Sequence, residues 1–225
     1  TLLLLVCSGL FLSFDFMCWH RSIHYVGPGL STLIANFQVF FTAIFSCLLF
    51  REKISRIFIV AVLMAVFGLF FITGVDLSSL DEGYRLGILF GVGTAVFYSA
   101  YILFLKSAMN HQDVSGVSAM LVVAITCSVF FSIITPVTSS SFIIPDATSF
   151  WALAGAGVVC TTIGWSLIST AIKYTSVTIT GLFLLLQPAL AFVWDVLFFS
   201  RPTEGSEVVG VLLILAAIYV GTYRR

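Results

Sequence analysis

The chain of 225 residues is predicted to be an all-α integral membrane protein, a polytopic bundle of eight transmembrane helices. Three observations predict this. Hydrophobic residues make up 60% of the chain and charged residues 9%, where a soluble domain carries about 25% charged residues. The mean hydropathy is +1.15. The apolar residues fall into eight runs, each near the ~20 residues that cross a bilayer. Ten Lys and Arg balance ten Asp and Glu, so there is no basic field to hold nucleic acid. The partners expected are membrane lipid and a small-molecule solute.

Charge, glycine and proline divide the runs into 1–20, 28–50, 54–74, 84–106, 115–137, 150–172, 177–199 and 206–223. The first is already apolar at Leu2 and lacks the basic start and small-residue cleavage site of a signal peptide, so it reads as a span. It ends near His20, Arg21 and His24. Gly27-Pro28-Gly29 form a turn that opens the second span, and Arg51-Glu52-Lys53 close it. An acidic loop, 76–83, precedes the fourth span and a polar loop, 138–149, precedes the sixth; neither is long enough to be a domain. Cys7, Cys18, Cys47, Cys127 and Cys160 all lie in apolar runs and read as packing residues. Of the Lys and Arg between spans, seven fall on one side and three on the other, which places the C-terminus and Thr1 in the cytoplasm.

A repeat appears when the sequence is shifted by 149 residues. Ile23-His24-Tyr25 meets Ile172-Lys173-Tyr174, Leu33 meets Leu182, Gln38 meets Gln187 and Leu48 meets Leu197. Spans one to three thus echo spans six to eight, and two further spans are expected before Thr1. The complete arrangement would be two five-span halves. An odd number inverts the second half, giving the inverted-topology repeat of many secondary transporters.

Arg51-Glu52-Lys53 after a long apolar span, with Ala61 and Gly68 seven residues apart, resembles the repeat of EamA-type permeases in the drug/metabolite transporter superfamily. Leu186-Gln187-Pro188-Ala189, followed by Gly210 and Val211-Leu212-Leu213-Ile214, resembles its second copy. Val39, Ala61 and Arg201 depart from the family's usual Pro, Gly and Glu. The resemblance implies helices three to ten of a ten-helix fold, with residues 1–80 an incomplete first repeat and 81–225 a full second one. It implies efflux of amino acids or their derivatives, or of drug-like solutes, across a bacterial inner membrane, with no cofactor and no catalytic residues. A central cavity is implied, and spans three and eight lie at its periphery. Their small residues, Gly68 on the one and Gly210, Ala217 and Gly221 on the other, suit either a homodimer contact or helix packing within one chain.

Ionisable residues inside spans are expensive, so each is a functional candidate. Asp15 and Asp195 qualify as coupling or gating groups. Asp15 shares a helical face with Ser8, Trp19 and Ser22, a stripe expected to face a cavity. Gln38 and Gln187 are candidate substrate contacts, because an amide offers both donor and acceptor without a charge. Thr42 and Ser31 extend the Gln38 face, while Thr180 and Trp194 extend the Gln187 face. Tyr98, Tyr101 and Trp165 could stack on an aromatic or cationic solute. Pro188 removes the helical donor to the Leu184 carbonyl and is expected to kink the helix. His20 and His24 share a face but have no third ligand nearby, so no metal is expected. A membrane-embedded transferase would need acids and histidines converging at one depth, and a channel would need rings of charge; neither pattern is present.

Overall fold

The computed structural model describes all residues except 52–53, 74–81, 112–113, 138–142, 200–202 and 224–225. Among the described residues every regular element is helical: α1 (Leu2–Ala35), α2 (Gln38–Phe50), α3 (Arg56–Thr73), α4 (Glu82–Met109), α5 (Gly116–Val137), α6 (Ala147–Gly155), a π-helical stretch (Ala156–Gly164), α7 (Trp165–Ile172), α8 (Val177–Leu184), α9 (Leu186–Phe199) and α10 (Gly205–Tyr223). Five continuous stretches are long and apolar enough to cross a membrane, and two shorter ones, Arg56–Ile72 and Gly205–Gly221, are also apolar. One of the five, Leu2–Phe50, has 49 residues, about 73 Å of helix and more than twice a hydrocarbon core. It does not run straight. Gly27 breaks it with φ 76°, a backbone conformation that L side chains rarely adopt, and Pro28 follows in the first turn of the next arm. The expected turn at 27–29 is therefore present. The outer loop expected at His20 to His24 is helical instead, with His20 Nδ1 2.8 Å from the Phe16 carbonyl oxygen. The expected loops at 76–83 and 138–149 fall largely outside the described residues. Asp146 is described: it caps α6 through the Ser149 N–H at 2.7 Å, which holds its carboxyl below the usual range.

The chain forms two compact units, each built from two separate stretches of the sequence. One consists of Thr1–Phe14 and Ala100–Thr175, the other of Asp15–Ser99 and Ser176–Arg225. In the first unit, Gly9 lets α1 approach α5 so closely that a methyl group there would lie 2.6 Å from Thr126 Cβ. Gly116 does the same for α5 against α7, where Ser169 Oγ donates to its carbonyl. The stretch from α6 through the π-helix turns Trp151, Val158, Val159 and Ile163 outward.

In the second unit α3 and α10 run antiparallel in direct contact. A methyl group on Gly68 would lie 2.6 Å from the Gly210 carbonyl oxygen, and one on Gly210 would lie 2.5 Å from that of Gly68. Gly221 approaches Ala61 and Leu182 in the same way, and Ala217 is fully buried. Of the two roles open to these small residues, the packing of helices within one chain is the one seen here, because only residues without bulk let two helix backbones come this close. The contacts also respect the 149-residue shift. Ala61 with Gly221, carried along that shift, becomes Gly210 with Ile72, and that contact is present as well.

Candidate functional site

The second spans of the two sequence repeats are both interrupted. The first breaks at Asn36–Phe37, between α1 and α2, and the second at Leu185, between α8 and α9, 149 residues after Asn36. At each break the amide reaches back three residues instead of four: Phe37 N–H to Ile34, Leu185 N–H to Leu182. The causes differ. Pro188 has no N–H to offer the Leu184 carbonyl, so the kink expected from it falls three residues earlier, at Leu185. In the first repeat Val39 stands where proline would act. There Asn36 places its side-chain Nδ2 on the Thr32 carbonyl at 2.8 Å, competing with the helical ladder.

Helix α2 presents its polar face inward. Gln38, Thr42 and Ser46 are buried while Ile44, Leu48 and Leu49 are exposed, as suits a helix whose outer surface meets lipid. Helix α4 covers that face. Ser99 Oγ lies 2.9 Å from the Gln38 carbonyl and 2.7 Å from the Ala95 carbonyl, and it accepts from Thr42 Oγ1 at 3.0 Å. The neighbouring stripe of α4 meets α1: Ser22 Oγ donates to the Gly87 carbonyl and Thr94 Oγ1 to the Asp15 carbonyl. Gly91 sits between both arms of α1, where a methyl group would lie 2.9 Å from Ile34 Cγ2 and 3.1 Å from Ser22 Oγ.

Two of the predicted residues therefore share a setting. Asp15 and Gln38 are each 5% exposed, and Asp15 Oδ1 and Gln38 Oε1 have no hydrogen-bond partner among the described residues. A buried polar atom left so costs about 1–3 kcal/mol, and more when charged, which is tolerated where a ligand supplies the missing bond. The rest of the Asp15 stripe packs instead of lining a cavity. Ser8, in the first unit, donates to the Tyr101 carbonyl, and Ser22 is held by α4 as described.

The remaining candidates scatter. Gln187 and Trp194 are exposed, and Trp194 packs on Phe198 at 5.4 Å. Thr180 is buried and bonded to the Ser176 carbonyl, across the break at Leu185 from Gln187 and Trp194, which keep a common exposed face on α9. A seven-residue spacing marks one face only of an unbroken helix, and Leu185 breaks this one. Asp195 lies on α9 with its side chain outside the described residues. In the first unit Tyr101 is fully buried with its ring edge-on to half-buried Trp165 at 5.6 Å. Tyr98, on α4 in the second unit, is half-buried. No three His, Cys, Asp or Glu side chains come together among the described residues.

Sequence reasoning overlooked Ser99 and Lys106. Ser99 continues the Gly91, Ala95 spacing of four, which would have marked it as an interface hydroxyl. Lys106 counted only as a basic flank, yet its Nζ reaches three carbonyls at the end of α7, those of Ile172, Lys173 and Thr175, at 2.7–3.1 Å. A cation there satisfies orphan carbonyls at the negative end of the helix.

The EamA-like transporter family model matches residues 1–74 and 85–223, nearly the whole chain. The chain belongs to the EamA-like transporter family. The chain is 21% identical over 98% of its length to the "Uncharacterized transporter YxxF" of Bacillus subtilis, covering 70% of that protein. It is 24% identical over 95% of its length to the "Pseudopaline exporter CntI" of Pseudomonas aeruginosa, covering 72%. It is 23% identical over 98% to the "Probable amino-acid metabolite efflux pump" of Escherichia coli, covering 76%. A crystal structure with 17% identity superposes with a TM-score of 0.83 over 97% of this chain and 75% of that one, so the fold is shared.

Proposed function

We propose that this EamA-like protein is a secondary carrier that exports small organic solutes by alternating access, and that it is not an enzyme. Its relatives are named as transporters and exporters, which supports membrane transport as the class. The observation that carries the reading is the pair of interruptions at Asn36–Phe37 and Leu185, one in each repeat. Broken helices within a membrane expose backbone and polar groups only where protein or a cavity can satisfy them, and carriers place their ligand at such breaks. The symmetric contacts of α3 with α10 support an inverted repeat. Counting the two arms of Leu2–Phe50 separately and adding the two shorter apolar helices makes eight crossings, with residues 1–80 and 81–225 as the repeat boundaries. The excess of Lys and Arg on one side supports a cytoplasmic C-terminus in a bacterial inner membrane.

The test is a comparison of extracellular metabolites from cells making the native protein and cells making Gln38→Leu at equal membrane abundance. Export predicts a solute class that accumulates outside only with the native protein. If both profiles equal that of cells with an empty vector across a range of medium pH, the exporter reading fails.

A further inference from the structure

Gly27 and Ser176 stand 149 residues apart, and the chain turns at both: between the two arms of α1, and between α7 and α8. The two turns are built by different means. Gly27 takes φ 76°, so the first bend is written into the main chain itself. At the second turn no residue has a positive φ: Lys173 stays helical at φ −61° and Ser176 is extended at φ −71°, ψ 152°.

A helix leaves its last carbonyls without intrahelical donors, and α7 has no glycine after it to fold the chain back onto them. The Lys173 N–H reaches the Thr170 carbonyl and the Tyr174 N–H that of Ala171, so the chain itself serves two of them. Lys106, from α4, serves three more: its Nζ lies 2.7 Å from the Ile172 carbonyl, 3.1 Å from that of Lys173 and 2.8 Å from that of Thr175. All these groups lie in the first unit, of which Thr175 is the last residue. An ammonium has three N–H donors on one atom, and here three carbonyls converge on it. Arginine is a poor substitute, because a planar guanidinium spreads its donors instead of gathering them at a point. The Lys106 side chain is half-buried, whereas Tyr174, between two of the clamped carbonyls, is 81% exposed, so hydration can replace the ammonium when it withdraws. A glycine bend is permanent, but a turn held by one side chain of another helix can be released and remade. Helix α8 starts directly after this turn and ends at the break of Leu185.

We infer that Lys106 is a positioning residue for export: its ammonium clamps the turn between α7 and α8 and so fixes the start of the helix that leads to the second break. This rests on the carrier reading and adds to it a residue that acts at a distance from the breaks.

Lys106→Met keeps the unbranched stem and removes the three donors. In the purified chain in detergent, amide exchange at residues 173–177 is expected to quicken about tenfold or more in this variant, while exchange around Gly27 stays within about twofold. In cells, the solutes that accumulate outside with the native protein are expected to do so about tenfold more slowly with Lys106→Met at equal membrane abundance, and at an intermediate rate with Lys106→Arg. Unchanged exchange at 173–177 would overturn the inference. So would native export per molecule from a variant whose thermal midpoint has dropped, since the lysine would then serve stability alone. If Lys106→Met does not reach the membrane, Lys106→Arg decides: slowed export supports the inference, and full export overturns it, because convergence of three donors on one atom would not matter. A native protein that exports nothing fells the carrier reading and the inference together; native export matched by Lys106→Met fells the inference alone.

Discussion

The third spans of the two repeats and the second spans behave differently. In α3 and α10 the matched positions meet in matched contacts: Ala61 with Gly221, and Ile72 with Gly210. In the second spans the backbone break recurs at the matched place, yet Gln38 is buried under α4 and Gln187 is exposed. The difference teaches that positions 149 residues apart can agree in backbone geometry while their side chains do not. Small residues and helix breaks act through main-chain geometry, so they survive divergence as long as the geometry does. A polar side chain works only through what covers it, and α4 covers one glutamine.

The largest expected effect comes from breaking the symmetric pair. Gly68→Leu and Gly210→Leu each drive side-chain bulk into the partner's backbone, a strain of about 1–3 kcal/mol or more, because backbone cannot step aside. Both are expected to lose monodisperse protein in size-exclusion chromatography to a similar degree; a harmless result at either position would break the symmetry. The second spans should give unequal results. Gln38→Leu is expected to cut export about tenfold, the loss of one hydrogen bond to the solute, whereas Gln187→Leu is expected to leave it within about twofold, as read from extracellular solute at equal expression. A smaller effect sharpens the account of the breaks. Pro188→Ala restores a donor for the Leu184 carbonyl, so amide exchange at residues 185–188 should slow and export should fall a few-fold, while Asn36→Ala removes the competitor for the Thr32 carbonyl and should slow exchange at residues 36–39 by less. The smallest is Ser99→Ala, which removes bonds to Thr42 and Gln38 and should lower the thermal midpoint slightly, matching the ~0.6 kcal/mol typical of polar contacts between membrane helices.

Much of this was legible in the residues. Gly27-Pro28 marked the turn, Pro188 the second kink, and Gly68 with Gly210 a close helix contact, between copies or within one chain. A small-residue stripe says that something approaches closely; it does not say what. The Asp15 stripe was visible at spacings of seven, four and three, but its Ser8 and Ser22 hydroxyls bond α4 backbone. Asn36 was missed because its effect depends on a side-chain bond to Thr32 that composition does not reveal. Thr180, Gln187 and Trp194 were assigned one face on the assumption of an unbroken helix, and each residue turns the face by about 100°, so one irregular turn at Leu185 was enough to take Thr180 off the face that Gln187 and Trp194 share.

By itself the sequence determined that this chain is helical and resides in a membrane, since apolar runs of this length have no other way to satisfy their backbone in lipid. It also carried the resemblance to its family. Tertiary structure alone decided which polar groups end up buried without partners, Asp15 Oδ1 and Gln38 Oε1 among them. Position along a chain specifies the phase of a residue on its own helix, and the neighbour that covers that phase comes from elsewhere in the chain.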